Sequence, residues 1–194
     1  FHPIDPSVSS VIYEDRSMTV STLPLNHKVP CCGFLFSEKP GLPHIRRDMI
    51  DMYGIPTSQI NNIKNGIDWT TPDGEVIPAS RLTTPANKPR SYAYCSDTAP
   101  FPELSSWVKG VDLLYHETTY TAVLADQAAQ RHHSTTLQAA QCALDAGVKK
   151  LVIGHYSSRC KNVSQYEAEC RSIFPETYAA NDRDVFDVPL VKLD

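Results

Sequence analysis

The chain has 194 residues, with 41% hydrophobic and 21% charged side chains and a formal net charge of -4. That is enough chain for one domain with a real core, or for a substantial piece of a larger one. No apolar run approaches the roughly 20 residues of a membrane span. The start, Phe1-His2-Pro3-Ile4-Asp5-Pro6, lacks the basic head and apolar centre of a signal peptide and lacks an initiator Met, so a segment is expected upstream. The six cysteines are scattered, with no CxxC pair. They are expected to be reduced thiols of a cytoplasmic protein rather than a disulfide frame or zinc ribbon. The acidic balance argues against indiscriminate nucleic-acid binding but leaves room for a local basic patch, because salt screens fields within about 8–10 Å.

In chain order, Val11-Ile12-Tyr13 and Met18 to Leu23 read as a hairpin turning at Glu14-Asp15-Arg16-Ser17. Pro24 and Pro30 bracket His27, which places that histidine on a loop. Cys31 to Phe36 resumes as a strand. From 38 to 90 the texture becomes Pro/Gly-rich, an excursion with short helices expected at 46–52 and 58–64 and a hairpin turning at Asp73-Gly74. Its cations include Lys39, Arg46, Arg47 and Lys64. A solvated insertion and a substrate-gripping arm both fit.

Ser91 to Cys95 reads as a strand ending on Ser96-Asp97-Thr98, and Val111 to Tyr115 as a second one running into His116-Glu117. Thr135 with Gln138 is a capping box opening a helix to Ala146, stopped by Gly147, with Leu137, Ala140 and Leu144 as its expected buried stripe. Lys149 to Gly154 is a buried strand before His155. Ser164 with Glu167 suggests another capping box, for a helix carrying Tyr166, Cys170, Ile173 and Phe174. Strand, helix, strand, helix points to a layered α/β domain.

Histidines and a carboxylate at strand ends suit zinc, with iron or manganese as alternatives. The four positions are His27, Asp97, His133 and His155. Singly, each has a plain structural role. Asp97-Thr98 fits a turn or helix cap, His116-Glu117 a surface ion pair, and His132-His133 a lead-in to a helix.

The words around these residues resemble ribonuclease Z, the tRNA 3′-processing endonuclease of the metallo-β-lactamase fold superfamily. The resemblance runs from about Ser9 to Pro189. It rests on His27-Lys28-Val29-Pro30, Ser96-Asp97-Thr98, Leu114-Tyr115-His116-Glu117-Thr118-Thr119-Tyr120, His133-Ser134-Thr135-Thr136, Gly154-His155-Tyr156-Ser157-Ser158-Arg159 and Ala180-Asn181-Asp182. It implies an αββα sandwich with an inserted tRNA-binding arm at 38–90, and two zinc ions per intact subunit bridged by Asp97. His27 would ligate one ion and His155 the other. His133 matches the general acid, Glu117 its orienting partner, and Arg159 a phosphate clamp. Zinc-dependent removal of 3′ extensions from precursor tRNA would follow, by metal-activated water attack on a phosphodiester. The family also implies a homodimer in which one subunit's arm, here including Lys39, Arg46, Arg47 and Lys64, presents tRNA to the other's site.

Two departures accompany the resemblance. Ile55-Pro56 runs into Thr57-Ser58-Gln59, where many family arms continue with a further proline and a Gly-Pro step. The family's His-x-His-x-Asp-His signature is absent. The chain is therefore expected to be a C-terminal part, its sandwich incomplete at the N-terminus, its zinc sites unfilled and its isolated activity negligible. The alternatives are another phosphodiesterase or an arylsulfatase-like hydrolase of the same fold, or a non-catalytic RNA-binding half.

Overall fold

The computed structural model describes residues 2–193. The elements in chain order are β1 (Val11–Glu14), β2 (Met18–Pro24), β3 (Cys32–Glu38), β4 (His44–Ile45), α1 (Arg47–Tyr53), α2 (Thr57–Lys64), β5 (Trp69–Thr70), β6 (Val76–Ile77) and α3 (Ala79–Leu82). They continue with β7 (Thr83–Thr84), β8 (Ser91–Cys95), α4 (Pro102–Trp107), β9 (Leu113–Glu117), α5 (Ala125–Arg131), α6 (Thr136–Ala146), β10 (Leu151–Gly154), α7 (Val163–Arg171) and β11 (Thr177–Ala179). They fall into two compact units, one of residues 1–38 with 90–188 and one of residues 39–89 with 189–194.

The larger unit is built on a seven-stranded sheet in the order β1-β2-β3-β8-β9-β10-β11. The pairs β1-β2, β2-β3 and β3-β8 are antiparallel, and β8-β9, β9-β10 and β10-β11 are parallel. The parallel half needs crossovers, which α4, α6 and α7 provide in the connections between its strands. Strand alternation then sorts the side chains. Ala93, Cys95, Leu114, Leu151 and Ile153 pack with Leu104 of α4, Ala140 and Ala143 of α6, and Tyr166 and Cys170 of α7 in one core. Leu114, Leu151 and Ile153 are wholly buried, and side chains of this kind contribute about 1.5–3 kcal/mol each. That makes β9 and β10 a firm platform for whatever their ends carry. The opposite face carries Phe34, Phe36, Tyr92, Tyr94 and Tyr115, with Tyr94 stacked on Tyr115 at 4.8 Å between ring centroids.

The capping box at Thr135 and Gln138 and the left-handed Gly147 stop are both present. The buried stripe of α6 differs from the expected one, however. Ala139, Ala140, Ala143 and Ala146 face the core, Leu137 is half-buried and Leu144 exposed. The helix lies close to its neighbours on its small residues, which leaves no room there for leucine. Helix α7 begins at Val163 with Asn162, not Ser164, as its cap, the Asn162 side chain accepting from the Ser164 N–H. Ile173 and Phe174 lie beyond the helix end, with Phe174 still in the core.

The smaller unit is more ordered than its Pro/Gly texture suggests. Met49, Ile55, Ile63, Ile77, Ala79 and Leu82 form its own buried core, flanked by Trp69. Antiparallel pairs β4-β7 and β5-β6 close it. Lys88 donates its backbone N–H to Val191 O at 2.8 Å, holding the last residues to this unit. Residues 39–89 hold six Lys/Arg against five Asp/Glu. Their positive character is therefore slight, contrary to the impression left by the cations alone. Arg46 is engaged with Asp48 at 2.8 Å, while Arg47 is exposed and Lys39 and Lys64 are half-buried.

Candidate metal centre and acid–base site

Parallel strands deliver whatever follows them to one edge of the sheet. Asp97 lies two residues beyond β8, Glu117 ends β9 and His155 follows β10. The loop after β2 brings His27 to the same place, and the turn between α5 and α6 brings His133. Ligand atoms of His27, Asp97 and His133 lie within 4.8 Å of one another, as do those of Glu117, His133 and His155. His155 Nε2 is 3.2 Å from Asp97 Oδ1. All five residues expected at the centre are thus together.

Glu117 is fully buried, and donors fill both of its oxygens. Oε1 accepts from Thr98 N–H at 2.7 Å and His133 Nδ1–H at 2.7 Å. Oε2 accepts from the Thr119 hydroxyl at 2.5 Å and the Thr119 N–H at 3.2 Å. This is no surface ion pair. His116 points to the other side, wholly buried, where burial pushes its imidazole pKa down and Nδ1–H donates to Glu117 O at 2.8 Å.

The histidine tautomers follow from their partners. His27 Nδ1 meets the His132 carbonyl at 2.9 Å, which can only accept. His133 Nδ1 meets a carboxylate oxygen. His155 Nδ1 lies 2.8 Å from the Thr119 hydroxyl, whose one proton goes to Glu117, so the imidazole is the donor. Three imidazoles therefore keep Nε2 as the free lone pair beside Asp97. A donor set of neutral imidazoles with fixed Nδ1–H partners and a carboxylate fits zinc. His27 and Asp97, grouped with His133, can hold one such ion, and His155 lies beside Asp97 on the other side of the cluster. His133 is placed equally for ligation or for proton transfer.

Backbone geometry supports this arrangement. Asp97, His132 and His155 have φ of 59°, 58° and 57°. Asp97 is in the left-handed region beyond its strand and so is no helix cap. At Gly154, before His155, the Tyr115 phenol occupies the space a Cβ would take, so a larger residue there would displace that ring.

Several supporting residues were not distinguished by the sequence reading. Thr98 ties four segments, since its hydroxyl accepts from Asn26 N–H at 3.1 Å, its N–H reaches Glu117 and its carbonyl accepts from Ser134 Oγ at 2.7 Å. Thr119 and His132 act as described above. The available signal was their adjacency to the motif residues. Arg159 is exposed on the loop after His155, its backbone N–H on Ser157 Oγ at 3.3 Å, and among the described residues no hydrogen bond or ion pair holds its guanidinium. Lys39, Arg46, Arg47 and Lys64 belong to the smaller unit.

No protein-family model matches the chain. Curated relatives do. The ribonuclease Z of Bacteroides fragilis is 51% identical over 182 residues, covering 94% of this chain and 60% of the relative. That of Bacteroides thetaiotaomicron is 50% identical over 182 residues, covering 94% and 58%. The chain thus spans about 60% of the length of the curated relatives it matches. Among solved structures, human tRNase Z, short form, is similar with a TM-score of 0.53 at 20% identity, covering 93% of this chain and 47% of that one. A long form RNase Z from yeast gives 0.55 at 18%, covering 88% and 18%. The metallo-β-lactamase fold protein YhfI from Bacillus subtilis gives 0.55 at 14%, covering 91% and 49%. No helix among the described residues is long and apolar enough to cross a membrane. With half its residues shared over nearly its whole length, the chain is a homologue of ribonuclease Z, and its fold is that of the metallo-β-lactamases.

Proposed function

We propose that this chain is part of a zinc-dependent ribonuclease Z which, at the full length of its relatives, removes 3′ extensions from precursor tRNA in the cytoplasm as a homodimer. The buried Glu117–His133 pair beside Asp97 and His155 carries this reading, in a chain half identical to ribonuclease Z. His27, Asp97 and His155 would hold zinc, two ions being the family expectation. Zinc when bound supplies Lewis acidity toward phosphate oxygens and lowers the pKa of water.

The chain's own residues do the rest. Glu117 holds Nδ1–H of His133, which fixes the ring and leaves Nε2 facing the reaction, so that in the imidazolium form its Nε2–H delivers a proton to the departing 3′ oxygen. The carboxylate is itself immobilised by Thr98 and Thr119, so the imidazole cannot turn and carry its partner with it. Arg159 supplies paired donors to non-bridging phosphate oxygens. The 39–89 unit is the tRNA-gripping arm, with Lys39, Arg46, Arg47 and Lys64 as phosphate contacts.

His133→Ala in the full-length protein tests the acid role. Precursor cleavage should fall by about 10²–10⁴-fold while zinc content stays at the wild-type level. Zinc lost together with activity would make His133 a ligand, the role its neighbours His27 and Asp97 also permit.

A further inference from the structure

The Glu117–His133 contact joins residues 16 positions apart on separate elements, and something must hold those elements in register. Residues 118–122 lead away from Glu117, and residues 133–136 run from His133 into α6. They touch directly: Tyr120 N–H donates to Ser134 O at 3.4 Å and Thr136 N–H to Tyr120 O at 3.0 Å. The first of these is long, and two backbone bonds form only a short hinge.

A carboxylate from a third element completes the joint. Glu169, in the last turn of α7, accepts on a single oxygen, Oε2, both the Ala122 N–H at 2.9 Å and the Thr136 hydroxyl in a short bond. Its other oxygen accepts from Gln165 Nε2 at 3.1 Å. Thr136 is wholly buried at the first turn of the 11-residue α6, where a carboxylate also complements the helix dipole. Burial raises the Glu169 pKa, and the bonds from Thr136, Ala122 and Gln165 outweigh it, so the net shift is downward. Cys170 reinforces the same seam, its thiol 3.2 Å from the Thr136 carbonyl. Glu169 touches none of the five residues of the centre. Its action on them runs through the segments it clamps.

We propose that Glu169 is a positioning residue for proton transfer: by pinning Ala122 and Thr136 to one carboxylate oxygen, it holds the strand end bearing Glu117 and the helix start bearing His133 at hydrogen-bonding distance. This assignment rests on the acid role of His133 proposed above.

The experiment compares two substrates in the zinc-loaded full-length protein. Precursor tRNA has an alkoxide leaving group that needs a proton, and bis(p-nitrophenyl) phosphate has a phenolate that leaves without one. His133→Ala calibrates the assay. Glu169→Ala should lower kcat on precursor tRNA by about 10–100-fold, the scale of a misplacement near 1 Å, with KM, zinc content and nitrophenyl ester hydrolysis near wild type. Glu169→Gln, whose amide oxygen can still accept both bonds, should recover most of the lost kcat. The assignment is overturned if Glu169→Ala slows both substrates alike or loses zinc, or if Glu169→Gln, folded and zinc-loaded, fails to recover kcat on precursor tRNA. It is equally overturned if neither substitution changes kcat. Should His133→Ala itself slow both substrates equally, the acid reading fails first, a result separable from a failure of Glu169 alone.

Discussion

Asp97, His132 and His155 hold left-handed backbone conformations at the centre, each costing roughly 1–3 kcal/mol for a residue other than glycine. Aspartate and histidine tolerate that region better than most side chains. The strain has visible uses. It turns Asp97 toward His155 Nε2, aims the His132 carbonyl at His27 Nδ1 and folds His155 back over Thr119. Thr119 is then the residue where the two halves of the site meet, giving its proton to Glu117 and accepting from His155. Thr119→Val should weaken zinc binding by about 10–100-fold, the usual cost of losing a partner that orients a ligand. Thr119→Ser should restore it. Competition with a chelator reads this directly, and equal affinities for all three proteins would remove Thr119 from the ligand network.

Among the elements, what could be read in sequence was local and periodic. The Thr135–Gln138 box and the Gly147 stop lie within one helix, so adjacent residues announce them. The face of α6 that meets the core was not legible, because the packing distance of its neighbours selects alanines over the leucines that hydrophobicity favours. The cap of α7 moved by two residues because Asn162 and Ser164 both suit the position and only the incoming loop decides. The 39–89 unit was legible as a separate stretch but not as a folded one. Its core residues Met49, Ile63, Ile77 and Leu82 are spread over elements too short to show a period. As the proposed arm, it should serve binding and not hydrolysis. Replacing residues 39–89 by a short linker in the full-length protein should raise KM for precursor tRNA by about tenfold or more and leave bis(p-nitrophenyl) phosphate hydrolysis unchanged. Equal loss on both substrates would make the unit structural. With Lys39, Arg46, Arg47 and Lys64 as its phosphate contacts, this contribution should fall with salt along a log–log slope of about -3 to -4.

At the scale of the whole molecule, the parallel half of the sheet gathers the chemistry at one edge, and the helices bury one face. The other face lines a cleft of about 500 Å³ with Tyr92, Tyr94, Leu113, Tyr115, Val152 and Phe186 among its walls. The motif residues were legible as isolated words, and their convergence was legible through the resemblance to ribonuclease Z. The contacts that make them a site were not. His27 reaches His132 across 105 positions and Thr136 reaches Glu169 across 33, and no local pattern records either. In the proposed function, Asp97 and its neighbours serve a nuclease that trims tRNA. Precursor tRNA labelled in its 3′ extension, incubated with the zinc-loaded full-length protein, tests it most directly. The expected result is a single cut that releases the extension and leaves a 3′ hydroxyl on the tRNA, abolished by Asp97→Ala. An uncut precursor, or a cut that survives Asp97→Ala undiminished, would contradict it.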